Sequence, residues 1–93
     1  MARILVIDDE ESIRKLLSTV LKRTGHEVFL ADSGQKGIHV FERARPLITI
    51  LDLNLLDLNG LEVLRRLRVI DPQACVIIMT GYGTEEAKAQ ALA

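Results

Sequence analysis

The chain has 93 residues, of which 48% are hydrophobic and 3% aromatic, and twelve basic and thirteen acidic side chains give a net charge of −1. This length predicts one domain, and an apolar content this high at low net charge excludes a disordered chain. The balanced charge and the scarcity of aromatic residues disfavour direct nucleic-acid binding, and no apolar run approaches the length of a membrane span.

The first half of the chain alternates strand-like and helix-like segments. Residues 3–7 (RILVI) contain four consecutive apolar residues, most of them β-branched, as in a strand of a parallel sheet covered on both faces. A helix ending near Gly25 is predicted next, because apolar residues recur at helical spacing: Ile13, Leu16, Leu17, Val20 and Leu21. Residues 26–31 (HEVFLA) predict a second strand. A second helix, capped by Asp32 or Ser33, would follow and stop before Pro46.

The second half continues the alternation. Residues 47–51 (LITIL) predict a third strand that ends in Asp52. A third helix after Gly60 would face Leu61, Leu64 and Leu67 inward and stop at Asp71-Pro72, and residues 74–79 (ACVIIM) predict a fourth strand. Thr84 is a candidate cap for a fourth helix. Strands that alternate with helices predict a doubly wound parallel α/β sheet.

Cys75 is the single cysteine and lies within the apolar run of the fourth strand. We expect it to be a small buried core residue, since it has no partner in the chain for a disulfide. The strand-like segment begins two residues after Met1, so we expect no signal peptide before the fold. Together these features predict a cytoplasmic location.

Acidic residues follow two of the predicted strands. Asp8 and Asp9 come after the first strand, and Asp52 ends the third. If the strand order is 2-1-3-4, both strand ends meet at the topological switch point, where such sheets bind ligands. Three carboxylates brought together repel one another unless a cation joins them, and their hard oxygen ligands suit Mg²⁺. Glu10 and Glu11 are better explained as acids that stabilise the start of the first helix.

Three segments, ILVIDDE, ITILDLNLLDLNGLEVL and VIIMTGYGT, together resemble the receiver domain of two-component response regulators. The resemblance implies a flavodoxin-like fold and phosphorylation of Asp52 by a sensor histidine kinase or a phosphotransfer protein. It implies Mg²⁺ bound by Asp9, Asp52 and the backbone carbonyl of Asn54, with Asp8 acting through a water molecule. Thr80 matches the position whose hydroxyl contacts the phosphoryl group. A carboxylate can form an acyl phosphate, and phosphoryl transfer depends mainly on positioning and charge neutralisation.

The sequence also departs from the family pattern. The family has a fifth strand that carries a lysine, followed by a fifth helix, and this sequence ends before both. We therefore interpret residues 1–93 as a receiver domain that is incomplete at its C-terminus. Leu56 stands where the family usually has proline, and Lys88 is expected to be a solvated helix residue. The fourth strand would then be a sheet edge, so we expect self-association through it or by exchange of the last helix.

Two other functions fit parts of the pattern. A truncated receiver could serve as an interaction or oligomerisation module whose phosphorylation is impaired. A phosphohydrolase with an aspartyl nucleophile is disfavoured, since such enzymes place a second aspartate where Asn54 stands. We expect a phosphoacceptor rather than a conventional enzyme, one whose own site promotes its phosphorylation and dephosphorylation.

Overall fold

The computed structural model describes residues 1–79, which form four strands and three helices. The strands are β1 (Arg3–Ile7), β2 (Glu27–Ala31), β3 (Ile48–Asp52) and β4 (Cys75–Met79), and the helices are α1 (Glu11–Arg23), α2 (Gly34–Ala44) and α3 (Gly60–Ile70). The predictions for Thr80, Thr84 and Lys88 lie outside the described residues. Among residues 1–79, none of the helices has both the length and the apolar character needed to cross a membrane.

All strand pairs are parallel, and the sheet has the order β2-β1-β3-β4. The predicted sheet is thus confirmed. In the register between β1 and β3, Ile7 lies opposite Leu51, so the residues that follow each strand leave the sheet side by side. Between β3 and β4, Asp52 lies opposite Met79. The strand order therefore places the acidic ends of β1 and β3 at the same edge of the sheet.

Helices α2 and α3 pack together over one face of the sheet. The buried core there contains apolar side chains from the central strands and both helices, among them Leu5, Ile7, Phe41, Leu51 and Leu67. Ser33 caps α2, because its hydroxyl accepts a hydrogen bond from the Lys36 backbone N–H at 3.2 Å. A Cβ atom at Gly37 would lie 2.5 Å from Ile7 Cδ1, so this glycine allows α2 to approach β1 closely.

The apolar stripe of α1 is only partly covered by the sheet. Leu16 and Val20 are 59% and 48% exposed, while Ile13, Leu17 and Leu21 are partly buried. These three residues lie four positions apart and form one row that faces the sheet, whereas Leu16 and Val20 belong to the adjacent row. The five residues at helical spacing therefore do not form one buried face, because among residues 1–79 the sheet covers only one row.

Two further burial predictions need correction. In α3 the buried side chains are Val63 and Leu67, whereas Leu61 and Leu64 are only partly buried. Cys75 is exposed rather than buried. It shares its strand face with Ile77, which is 50% exposed, because Val76 and Ile78 are the β4 residues that pack against the core. Within the described part of the chain, β4 pairs with β3 alone.

Candidate functional site

Three acidic side chains meet at the carboxyl ends of β1 and β3. Asp8 and Asp9 follow β1 directly, and Asp52 is the last residue of β3. One carboxylate oxygen from each residue can be chosen so that all three lie within 4.8 Å of one another. The structure therefore brings together residues that are more than forty positions apart in the sequence. This geometry suits a single divalent cation bound through oxygen ligands.

The carboxylates are poorly accessible to solvent, and they repel one another. Asp8 is 3% exposed and Asp52 is 8% exposed, while Asp9 is half-buried. Burial raises the pKa of the Asp8 carboxyl; the hydrogen bond from Glu10 opposes this rise, and the nearby charges of Asp52, Asp9 and Glu10 add to it. None of the ion pairs formed by residues 1–79 includes Asp8, Asp9 or Asp52. The cluster therefore holds negative charge that a bound cation would neutralise.

Backbone hydrogen bonds orient two of the carboxylates. The Glu10 N–H donates to Asp8 Oδ1 at 2.9 Å, and the Asn54 N–H donates to Asp52 Oδ1 at 3.0 Å. Each bond joins a carboxylate to the backbone two residues later, which is an Asx-turn. Arg14 Nη1 donates to the carbonyl oxygen of Asp8 at 2.8 Å, and so ties the first turns of α1 to the loop that carries the acids. The carboxylates are thus held by the loops that follow their own strands.

The acidic cluster lies at a cleft of about 410 Å³. Its lining consists of acidic residues, Asn54 and two apolar residues: Asp8, Asp9, Glu10, Ile13, Asp52, Asn54 and Met79. The two apolar residues, Ile13 and Met79, were not assigned to the site from the sequence. Met79 could have been anticipated from the pairing of β3 with β4, whereas Ile13 carries no local signal. Asn54 is placed at the cleft as expected, and Thr80 lies outside the described residues.

Helix α3 begins directly against the end of β3. A Cβ atom at Gly60 would lie 2.4 Å from Leu53 Cα and 2.9 Å from the Asp52 carbonyl oxygen. Real Cβ atoms essentially never approach other atoms that closely, so only glycine fits. The Gly60 N–H also donates to the Leu53 carbonyl oxygen at 3.2 Å. The start of α3 therefore supports the strand end that presents Asp52.

Comparisons with known sequences agree with this arrangement. A family model described as the response regulator receiver domain matches residues 4–93. The sporulation initiation phosphotransferase F of Bacillus subtilis is 38% identical over 81 residues, which cover 87% of this chain and 65% of that protein. The regulatory protein AtoC of Escherichia coli is 32% identical over 90 residues, which cover 97% of this chain and 20% of that protein. The chain thus spans only part of each relative.

Solved structures show the same fold. A response regulator receiver domain protein from Clostridium thermocellum is 34% identical, with a TM-score of 0.90 over 99% of this chain and 75% of that one. A CheY-like receiver domain protein from Methanospirillum hungatei is 28% identical, with a TM-score of 0.91 over 99% of this chain and 74% of that one. These similarities, with the observed strand order, confirm the predicted flavodoxin-like fold.

Proposed function

This chain belongs to the response regulator receiver domain family, and on that premise we propose that it accepts a phosphoryl group on Asp52 in two-component signalling. The observation that carries the proposal is the convergence of the Asp8, Asp9 and Asp52 carboxylates at the ends of two neighbouring strands. Asp52 is the nucleophile in this proposal, since it terminates β3 and matches the family's phosphoacceptor position.

The proposed chemistry is an attack by a carboxylate oxygen of Asp52 on a phosphorus atom. A new oxygen–phosphorus bond forms, the bond from phosphorus to the donor breaks, and its electron pair leaves with the donor group. The Asn54 N–H engages Asp52 Oδ1, whereas among the described residues no donor engages Oδ2. Oδ2 is therefore the oxygen available for attack. The product is an acyl phosphate.

The residues at the cleft suit Mg²⁺. Asp9, Asp52 and the Asn54 backbone carbonyl would bind it directly, and Asp8 through a water molecule, as in the family. When bound, Mg²⁺ neutralises charge on the phosphoryl oxygens and on the acids. Burial is the main cause of the raised pKa of Asp8, and the charges of Asp52, Asp9 and Glu10 add to it. This direction supports the assignment, because a bound cation would offset both the lost solvation and the repulsion. The chain's own residues hold Asp52 in place through the Asn54 N–H and exclude most solvent from it.

The phosphoryl donor in this proposal is a histidine kinase or a phosphotransfer protein in the cytoplasm. The name of the Bacillus subtilis relative, a phosphotransferase, supports a role in phosphoryl relay. An interaction module without phosphorylation is a second candidate, and the exposed β4 residues Cys75 and Ile77 favour it. The two functions differ in whether Asp52 is modified.

Phosphorylation by a small donor tests the proposal. The chain is incubated with acetyl phosphate, with and without Mg²⁺, and its intact mass is followed over time. We expect one Mg²⁺-dependent adduct that Asp52→Asn abolishes and that Asp9→Asn slows about tenfold or more. Asp32→Asn is the matched control, because Asp32 is an exposed acid directly after β2 and pairs with Lys36 at 3.2 Å.

Three outcomes of this experiment count against the proposal. If the Asp52→Asn protein is labelled to the same extent as the wild type, a residue other than Asp52 is the phosphoacceptor. A folded wild-type chain that is never labelled would favour the interaction module. Rapid release of phosphate without a lasting adduct would indicate a phosphohydrolase.

A further inference from the structure

The loop from Leu53 to Asn59 connects β3 to α3 and contains Asn54. Its two ends are fixed by the hydrogen bond from the Gly60 N–H to the Leu53 carbonyl oxygen, and the Leu53 N–H also donates to the Met79 carbonyl oxygen at 3.3 Å. The middle of the loop has no proline to restrict its backbone, since Leu56 takes that position and is 92% exposed. In place of a proline, a side chain of the loop contacts another element of the fold.

Asp57 makes that contact with the start of α2. Its Oδ1 accepts a hydrogen bond from the Gly34 N–H at 2.8 Å, and its Oδ2 accepts one from the Gln35 N–H at 3.0 Å. The first N–H groups of a helix have no partner within the helix, and a carboxylate there also gains from the helix dipole. The Gln35 and Gly34 bonds lower the pKa of the Asp57 carboxyl, in agreement with an ionised side chain.

Packing beside this contact is close. A Cβ atom at Gly34 would lie 2.8 Å from Val63 Cγ2 and 3.1 Å from Leu58 Cβ. Leu58 is the loop residue next to Asp57, and Val63 is buried in α3. Because Gly34 has no side chain, the start of α2 lies against both the loop and α3. The two N–H groups are thus presented to Asp57 by a tightly packed helix end.

We propose that Asp57 is a positioning residue, which anchors the β3–α3 loop to the N-terminus of α2 and so holds the Asn54 backbone carbonyl at the metal site. Only two residues lie between Asn54 and Asp57, so the anchor keeps the carbonyl within about 10 Å of a fixed point. The inference rests on the proposed function, because that function makes Asn54 a ligand. Asp57 acts through the loop and does not touch the metal or the phosphoryl group.

The test compares Asp57→Ala and Asp57→Asn with the wild type and with Asp32→Asn. Asp32→Asn removes the same charge near the same helix end, but the Asp32 carboxylate pairs with Lys36 and not with the loop. Mg²⁺ affinity is measured by nuclear magnetic resonance titration of the Asn54 amide. Amide hydrogen exchange at Gly34 and Gln35 is measured without metal, and urea unfolding identifies conditions in which every variant is folded.

We expect Asp57→Ala to weaken Mg²⁺ binding about tenfold, the scale typical of groups that orient a metal ligand. The Mg²⁺ affinity of Asp57→Asn should lie between those of Asp57→Ala and the wild type, since an amide keeps one acceptor oxygen. Exchange at Gly34 and Gln35 should accelerate in both variants, and saturating Mg²⁺ should restore the wild-type phosphorylation rate. A merely structural role would not give that rescue. Asp32→Asn should change none of these quantities.

The failures of the two proposals are distinguishable. Wild-type Mg²⁺ affinity in the folded Asp57→Ala protein would overturn the positioning role and leave the proposed function intact. Unchanged exchange at Gly34 and Gln35 would overturn the anchor itself. If the wild-type chain binds no Mg²⁺, the proposed function fails, and the assignment of Asn54 fails with it.

Discussion

Replacing Gly60 with alanine should damage both the fold and the site. The new Cβ would lie 2.4 Å from Leu53 Cα, about 1 Å short of the 3.4 Å at which ordinary contacts begin. Two of the three obstructing atoms, Leu53 Cα and the Asp52 carbonyl oxygen, belong to the backbone, so no side-chain rotation relieves the contact and α3 must move away from β3. Overpacking typically costs about 1–3 kcal/mol, and a backbone obstruction belongs at the upper end.

A small gain offsets part of this loss. Alanine restricts the unfolded chain more than glycine does, which stabilises the fold by about 0.4–1 kcal/mol. We therefore expect Gly60→Ala to lower the free energy of unfolding by about 2 kcal/mol, a large share of the roughly 5–15 kcal/mol typical of a domain. Because the displaced strand end carries Asp52, Mg²⁺ binding should weaken as well.

Urea unfolding followed by far-ultraviolet circular dichroism measures the effect on stability. Gly25→Ala is the control, since Gly25 has a φ of +87° and, apart from Gly25 itself and its two chain neighbours, no atom of residues 1–79 lies within 4 Å of the position that an added Cβ would take. That variant should lose about 1–2 kcal/mol through backbone strain while its Mg²⁺ affinity stays unchanged. A Gly60→Ala protein within about 0.5 kcal/mol of the wild type, with unchanged Mg²⁺ affinity, would refute the packing argument.

Three further substitutions test other parts of the structure. Asp8→Asn should raise the free energy of unfolding at about pH 7 without Mg²⁺, because the raised pKa of Asp8 means that its ionised carboxylate destabilises the fold. This gain should shrink as pH falls through the raised pKa and disappear below the ordinary pKa of aspartate, and urea titrations that show no gain at about pH 7 would contradict it. Thr49→Val should stabilise the protein by about 1–2 kcal/mol, since Thr49 Oγ1 is buried without a hydrogen-bond partner among residues 1–79. A lower stability of the variant in calorimetric unfolding would disprove this. Ile77→Lys should weaken the self-association expected through β4, because it adds charge to the exposed face of this strand. If light scattering shows that the wild type is monomeric at every dilution, that association is excluded.

The parts of the fold that follow from periodicity and chain order could be predicted. The β-branched runs and their alternation with helices indicated a parallel sheet. In such a sheet, all strands end at the same edge, which is why Asp8, Asp9 and Asp52 could be expected to meet. The order of the strands decided which ends were neighbours, and the structure confirms that order. The chain order and the acidic strand ends thus located all three residues of the acidic cluster.

Burial and long-range contacts could not be predicted in the same way. Cys75 and Leu16 look like core residues in the sequence, but their burial depends on which elements cover their faces, and periodicity does not specify this. Asp57 was not identified because its partners, Gly34 and Gln35, precede it by more than twenty residues. Only packing of α2 against the loop brings them together, and no local pattern signals that contact.

Identification of the modified residue tests the central claim most directly. The wild-type chain is treated with acetyl phosphate and Mg²⁺ and then with borohydride, which reduces an acyl phosphate of aspartate to homoserine. Peptide mass spectrometry then locates the reduced residue. We expect homoserine at position 52 alone, in a yield that requires Mg²⁺. Homoserine at position 8 or 9 instead, or an adduct that borohydride does not reduce, would contradict the assignment of Asp52 as the phosphoacceptor.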